Sequence, residues 1–354
     1  MHRFATYTLF AAILAITGCR TQPVASGEEQ ESAAREAKLL FAGDIMCHTP
    51  QINAARNGED LDFSKTFEFV KPLFEEADAT IVNFETVVSP DGNYSGYPTF
   101  SSPEQLAWAI KQAGIDIVVM ANNHCCDRGA PGIRSTTRCF DSLGIARTGS
   151  FADHADYVKN RILRFNRNGI DFALLNYTYG TNGIRVPEGC VVNLIDTLAM
   201  ARDIAEICDA DCRIVFLHWG NEYEHSPSST QLQIKDFLQR KGVEIIIGSH
   251  PHVIQPATAT GNRIFVSSLG NFVSNQRKRF CDGGLMAEVD VAEVPEGGFE
   301  YHLTLIPVWV RKPHYQILTP DAADTVLTSA TERALYRQFI DDTEKLLYDG
   351  KFVK

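Results

Sequence analysis

The residues in this chain that can hold a metal ion follow apolar runs in a regular order. Gly43-Asp44 comes directly after Leu39-Leu40-Phe41-Ala42, and Asn83-Phe84-Glu85 after Ala79-Thr80-Ile81-Val82. Asn122-Asn123-His124, with Asp127 three residues on, follows Ile115 to Met120. His218-Trp219-Gly220 follows Ile214 to Leu217, Ser249-His250-Pro251-His252 follows Val243 to Ile247, and Leu269-Gly270-Asn271 follows Ile264 to Val266. Carboxylates, amide oxygens and imidazoles form a hard-to-borderline donor set suited to Zn, Mn, Fe or a mixed pair. Taken singly, His218 reads first as a structural residue and Gly43-Asp44 as ordinary turn chemistry. His250 and His252 are alternate residues of one extended segment and can face neighbouring positions. The conjunction points to a metal centre.

These groups meet in space only if the apolar runs are strands of one α/β domain. Most of the runs are nearly continuous in apolar residues, as expected for strands covered on both faces. Helix candidates lie between them near 65–77, 102–113, 131–143, 194–208 and 228–240, with starts legible at Ser102-Pro103 and Pro227-Ser228. Loops leaving the carboxyl ends of such strands converge on one edge. Arg161–Tyr179 and Gly284–Val310 carry period-2 patterning and turn residues, and are expected as antiparallel additions. The tail is charged and helical in pattern, with apolar residues at Leu335, Phe339 and Leu346-Leu347. The expected divisions are a leader over 1–19, a tether over 20–37, the main domain over 38–312 and a helical extension over 313–354.

A formal net charge of −11 leaves no excess of Lys and Arg to displace counterions, so nucleic acid is not an expected partner. An anionic substrate would need a local positive charge, which a bound metal supplies. At the N-terminus, Arg3 precedes the apolar stretch Tyr7 to Ile16, which reads as a secretory signal too short to span a membrane comfortably. Its ending, Ile16-Thr17-Gly18-Cys19, resembles a bacterial lipobox, which would make Cys19 the lipidated first residue of the mature chain. Eight further cysteines remain. Cys208 with Cys212 is the nearest plausible disulfide apart from the adjacent Cys125-Cys126, and buried free thiols are an equally good reading for half of them. The chain carries no Gly-x-Ser-x-Gly elbow, phosphate-binding Gly-rich loop with Lys, His-Glu-x-x-His or dinucleotide fingerprint.

Six stretches carry a family resemblance: Gly43-Asp44-Ile45-Met46, Val82 to Glu85, Ala121 to His124 with Asp127 and Gly129, His218-Trp219-Gly220 with Glu222-Tyr223, Gly248 to Val253 with Gln255, and Ser268 to Phe272. Together they resemble the CapA-type capsule-synthesis (poly-γ-glutamate capsule) family, a branch of the calcineurin-like metallophosphoesterase superfamily, from about Lys38 to about Val310. The resemblance implies a four-layer α/β/β/α metallophosphoesterase-like sandwich with a two-metal site at the strand-end edge. It further implies that Asp44 and His252 hold one metal, that Asn123, His218 and His250 hold the other, and that Glu85 bridges them. His124 would protonate a leaving group, with Asp127 orienting it. Asn83, Glu222, Tyr223 and Asn271 would touch substrate or brace the ligands. Where the superfamily's first motif is Asp-x-His, this chain has Met46.

Two functions are open at this level. One is a metal-dependent hydrolase or transferase acting on an envelope polymer or its precursor, outside the cytoplasm and anchored by lipid to the inner or the outer membrane. The other is a non-catalytic assembly or export component that associates with membrane subunits of a capsule synthase and retains the scaffold.

Overall fold

The computed structural model describes residues 34–260 and 262–348. The leader, Cys19 and most of the expected tether lie outside the described residues. Among those described, no helix is long and apolar enough to cross a membrane.

The strands relevant here are, in chain order, β1 (Glu36–Ile45), β2 (Ala79–Phe84), β3 (Ile117–Val119), β4 (Ala146–Thr148), β5 (Leu163–Arg167), β6 (Ile170–Thr178) and β7 (Cys212–His218). They continue with β8 (Ile245–Ser249), β9 (Ile254–Thr260), β10 (Arg263–Leu269), β11 (Asn271–Val273), β12 (Gly283–Glu293), β13 (Phe299–Arg311) and β14 (Gln316–Leu318). One sheet has the order β14-β13-β12-β1-β2-β3-β4, with β11 beside β1; the other has β9-β10-β8-β7-β6-β5. β1 to β4 are parallel, as are β6, β7, β8 and β10, while β12, β13, β14, β9 and β5 run antiparallel to their neighbours. The stretch 163–178 is therefore only half an antiparallel addition, since β6 continues the parallel centre.

Alternation of side chains builds the layers. Phe41, Ile81 and Val119 meet Leu174, Phe216 and Ile247 between the two sheets. Leu40, Val82 and Val118 face outward onto Phe74, Leu106, Ile110 and Phe140 of the covering helices. Leu175, Val215 and Ile246 face the opposite way, onto Met200, Ile204, Ile234 and Leu238. The result is the four-layer α/β/β/α sandwich, and burial on both faces explains why its strands read as unbroken apolar runs.

Local differences from the sequence-based expectation have simple causes. The helix expected over 65–77 is two, Ser64–Phe67 and Lys71–Glu76, because Pro72 cannot donate to the preceding turn and starts a new helix instead. Ser228 caps the helix Ser229–Arg240 reciprocally with Gln231. Ser102 does not cap: its buried hydroxyl lies 2.6 Å from Thr86 Oγ1, and Pro103 occupies the cap position of Glu104–Ala113. All eight described cysteines are free, so the plausible Cys208–Cys212 pairing is not formed and the free-thiol reading holds for the buried ones. Cys212 is directed into the core between the sheets while Cys208 is exposed. Strand β1 begins at Glu36, two residues inside the segment expected as tether, where Ala37 is buried opposite Val291. Beyond residue 312, β14 pairs with β13, and Phe339 and Leu347 of the helix Ala330–Tyr348 join the core between the sheets. Leu335 stays half exposed.

Candidate metal centre

The carboxyl ends of the parallel strands of both sheets deliver the polar residues to one place. Asp44 is the second-last residue of β1, Asn83 lies near the end of β2 with Glu85 just past it, and Asn122 to Asp127 follow β3. From the other sheet, His218 closes β7 and Ser249 closes β8, with His250 and His252 in the turn that follows. The close backbone approach at Gly43 requires glycine, since a Cβ there would stand 2.0 Å from the carbonyl oxygen of Gly270. This allows the Asp44 amide to donate to that oxygen at 3.2 Å.

Two buried ligand triads share Glu85. Donor atoms of Asp44, Glu85 and His252 lie within 4.8 Å of one another, as do those of Glu85, His218 and His250. Glu85 Oε1 stands 3.5 Å from His218 Nε2 and 3.8 Å from His252 Nε2. Both carboxylate oxygens of Glu85, and Nδ1 of His250, are buried without a hydrogen-bond partner, an arrangement that costs free energy unless a cation is bound there. Burial first, and then the charge of Asp44, push the Glu85 carboxyl well above the usual carboxylate range. A divalent ion would reverse that balance. Burial and the neighbouring His250 hold His218 well below its ordinary value, and burial with His252 lowers His250 to about 3. Both rings are thereby kept in the neutral form that ligates metal. The donor set and its orphaned atoms fit a divalent cation.

Most of the other residues singled out in the sequence brace this set. Asn83 Nδ2 donates to Asp44 Oδ1 at 2.8 Å, and Asn271 Oδ1 lies 3.1 Å from His252 Nδ1. Asn83 and Asn271 are fully buried, which makes them supports for ligands rather than open contacts. Asn123 Oδ1 is 2.8 Å from His218 Nε2. His124 Nδ1 is 2.8 Å from Asp127 Oδ2, which also accepts from the Phe100 amide at 2.6 Å. The Phe100 ring packs edge-on against His124 on one side and His48 on the other. Cys125 and Cys126 are buried with their sulfurs 3.9 Å apart. Glu222 is exposed, yet its carboxylate lies within 4.8 Å of ring nitrogens of His250 and His252. Tyr223 sits at the rim, its ring centroid 6.2 Å from that of His252.

Three contributors were not assigned from sequence. Ser249 Oγ lies 2.9 Å from His218 Nδ1, Asn182 Oδ1 accepts from Asn123 Nδ2 at 3.2 Å, and the Tyr179 ring packs 4.5 Å from that of His250. Tyr179 directly follows β6, a strand expected as an antiparallel addition, so its place beside the parallel-strand ends was hidden. Ser249 lay within a recognised motif and could have been found as the residue closing β8.

The chain is 29% identical over 350 residues to capsule biosynthesis protein CapA of Bacillus anthracis, covering 92% of this chain and 78% of that one. It is 26% identical over 251 residues to PGA biosynthesis protein CapA of Bacillus subtilis, covering 67% of this chain and 63% of that one. Among solved structures, a phosphatase of Mycoplasma pneumoniae superposes with a TM-score of 0.47 at 17% identity, over 80% of this chain and 96% of that one. Residues 38–276 match the family model described as bacterial capsule synthesis protein PGA_cap, and they include every residue of the two buried triads; the chain belongs to that family.

Proposed function

We propose that this chain is a lipid-anchored, extracytoplasmic protein of capsule or exopolymer synthesis or processing, acting on a poly-γ-glutamate-like polymer or its precursor. In this reading it binds one or two divalent ions, Zn, Mn or Fe, and hydrolyses an amide or phosphoester bond. The observation that carries the reading is Glu85, shared by two buried triads with both of its oxygens unpartnered. Ions bound there would supply Lewis acidity and lower the pKa of a water at neutral pH. The chain's own residues supply the rest. His124, its Nδ1 held by Asp127, carries a proton toward a leaving group. Phe100 walls the ring, and Asn83, Asn271 and Ser249 hold the ligand side chains in place.

Elemental analysis of protein purified without added metal tests the core of this reading. Wild type is expected to retain divalent metal and His250→Ala to lose it; metal-free wild type would overturn it. For the anchor, Cys19→Ala is expected to move the protein from the membrane fraction to the soluble one.

Met46 favours a second reading, in which the scaffold serves assembly or export of the polymer with a synthase and performs no hydrolysis. This buried residue stands where the superfamily places a ligand histidine. Normal turnover of polymer in cells carrying His124→Ala, together with loss of polymer in a deletion strain, would select it.

A further inference from the structure

The Asp44 side of the centre lacks the ligand its first motif would normally supply. Ile45 and Cys47 both pack outward among the covering helices. Met46, directly after β1, is 2% exposed and does not join Ile45 and Cys47 in that packing. A thioether is a soft donor and a poor partner for Zn, Mn or Fe in a carboxylate and imidazole site. His48 does not substitute, because it joins none of the ligand-type groups of the described residues; its Nδ1 lies 3.2 Å from Gln51 Oε1.

A carboxylate from another loop comes close instead. Glu222 lies in the turn after β7 and forms the third ligand-type triad of the described residues, with His250 and His252. The backbone holds it there: the neighbouring Tyr223, at φ 66°, donates its amide to the Pro251 carbonyl at 2.8 Å. This bond ties the Glu222 turn to the segment between the two histidines. The opposing side also calls for a cation, since buried His250 Nδ1 has no hydrogen-bond partner.

We infer that Glu222 is a metal ligand, supplying from the solvent side the donor that Met46 does not. The inference rests on the metal-centre reading above and adds a ligand to it. The donor has moved from the strand that carries Asp44 to the loop after β7, and the centre keeps its coordination with one exposed, exchangeable carboxylate.

The test is metal affinity. Full chain stripped with a chelator is titrated with Zn²⁺ and separately with Mn²⁺ in competition with a chelating indicator, for wild type, Glu222→Gln, Glu222→His and His250→Ala. Glu222→Gln is expected to weaken the less tightly held ion by at least about tenfold, with metal-free thermal unfolding unchanged because the residue is exposed. Glu222→His, which restores a ligating atom, is expected to recover much of the loss; a role in the turn alone would affect both variants alike. Unchanged affinity in Glu222→Gln, alongside loss of metal in His250→Ala, overturns the inference and leaves the centre standing. A wild type that binds neither ion overturns both.

Discussion

His124 Nδ1 lies 2.8 Å from Asp127 Oδ2 in a contact buried on both sides. The pairing fixes the ring and leaves Nε2 outside that bond. If His124 delivers a proton, His124→Ala is expected to lower kcat on a chromogenic phosphate ester by about 10²- to 10⁴-fold. Asp127→Asn is expected to lower it by roughly 10- to 100-fold. Metal content should be unchanged in both variants; a parallel loss of metal would make the pair a scaffold for the ligands instead.

Gly149 controls the loop that carries this pair. At φ +109° a side chain is strained, and a Cβ would stand 2.0 Å from Asn176 Oδ1 and 2.4 Å from the Ala121 amide. Asn176 Oδ1 accepts from the Met120 and Ala121 amides, immediately before Asn122 and Asn123. Gly149→Ala is expected to destabilise the fold by more than about 1 kcal/mol in urea unfolding. It should also displace Asn123 enough to weaken metal binding. Wild-type stability in the variant would refute this.

Phe216 lies between the sheets and is fully buried. Phe216→Ala is expected to cost about 3–5 kcal/mol through lost burial and the cavity left behind. The urea midpoint should fall with little change in slope. A cost below about 1 kcal/mol would mean that the two sheets close over the gap.

Acid should weaken the fold through His48. Burial, which outweighs the hydrogen bond the ring donates to Gln51 Oε1, lowers this imidazole from 6.5 to about 4. In that window the unfolded chain takes up a proton that the folded chain refuses. The contribution is therefore fully present above pH 6.5 and is lost as pH falls toward 4. His48→Asn, which cannot titrate, is expected to lose less stability than wild type across the same window, as read from urea midpoints. Parallel curves would show that other groups carry the dependence.

Much of the centre was legible because a strand end is a local feature. An apolar run followed by Asp44, by Asn83 and Glu85, or by His218 can be read without knowing where the strand goes. The convergence of strand ends then follows from the rules of parallel sheets. Of the three residues missed, Asn182 and Tyr179 come from the segment after β6. That strand's pairing depends on a partner, β7, more than thirty residues away, and its alternating pattern resembled an edge hairpin. The cysteines were left open for a similar reason: Cys208 and Cys212 are close in sequence, but one faces the core and the other faces solvent.

By itself the amino-acid sequence determined which residue types stand at the strand ends and that the strands are buried on both faces. These are properties of short stretches, set by hydrophobic pattern and residue chemistry. The tertiary structure puts Glu85 in two triads, the shared position that the resemblance implied, and it alone decided that Glu222 reaches His250 and His252 from a separate loop. It also decided that Asn83 and Asn271 brace ligands. Those relationships depend on how two twisted sheets are set against each other, and contacts between residues 44, 85, 222 and 252 are fixed by packing that no local pattern encodes.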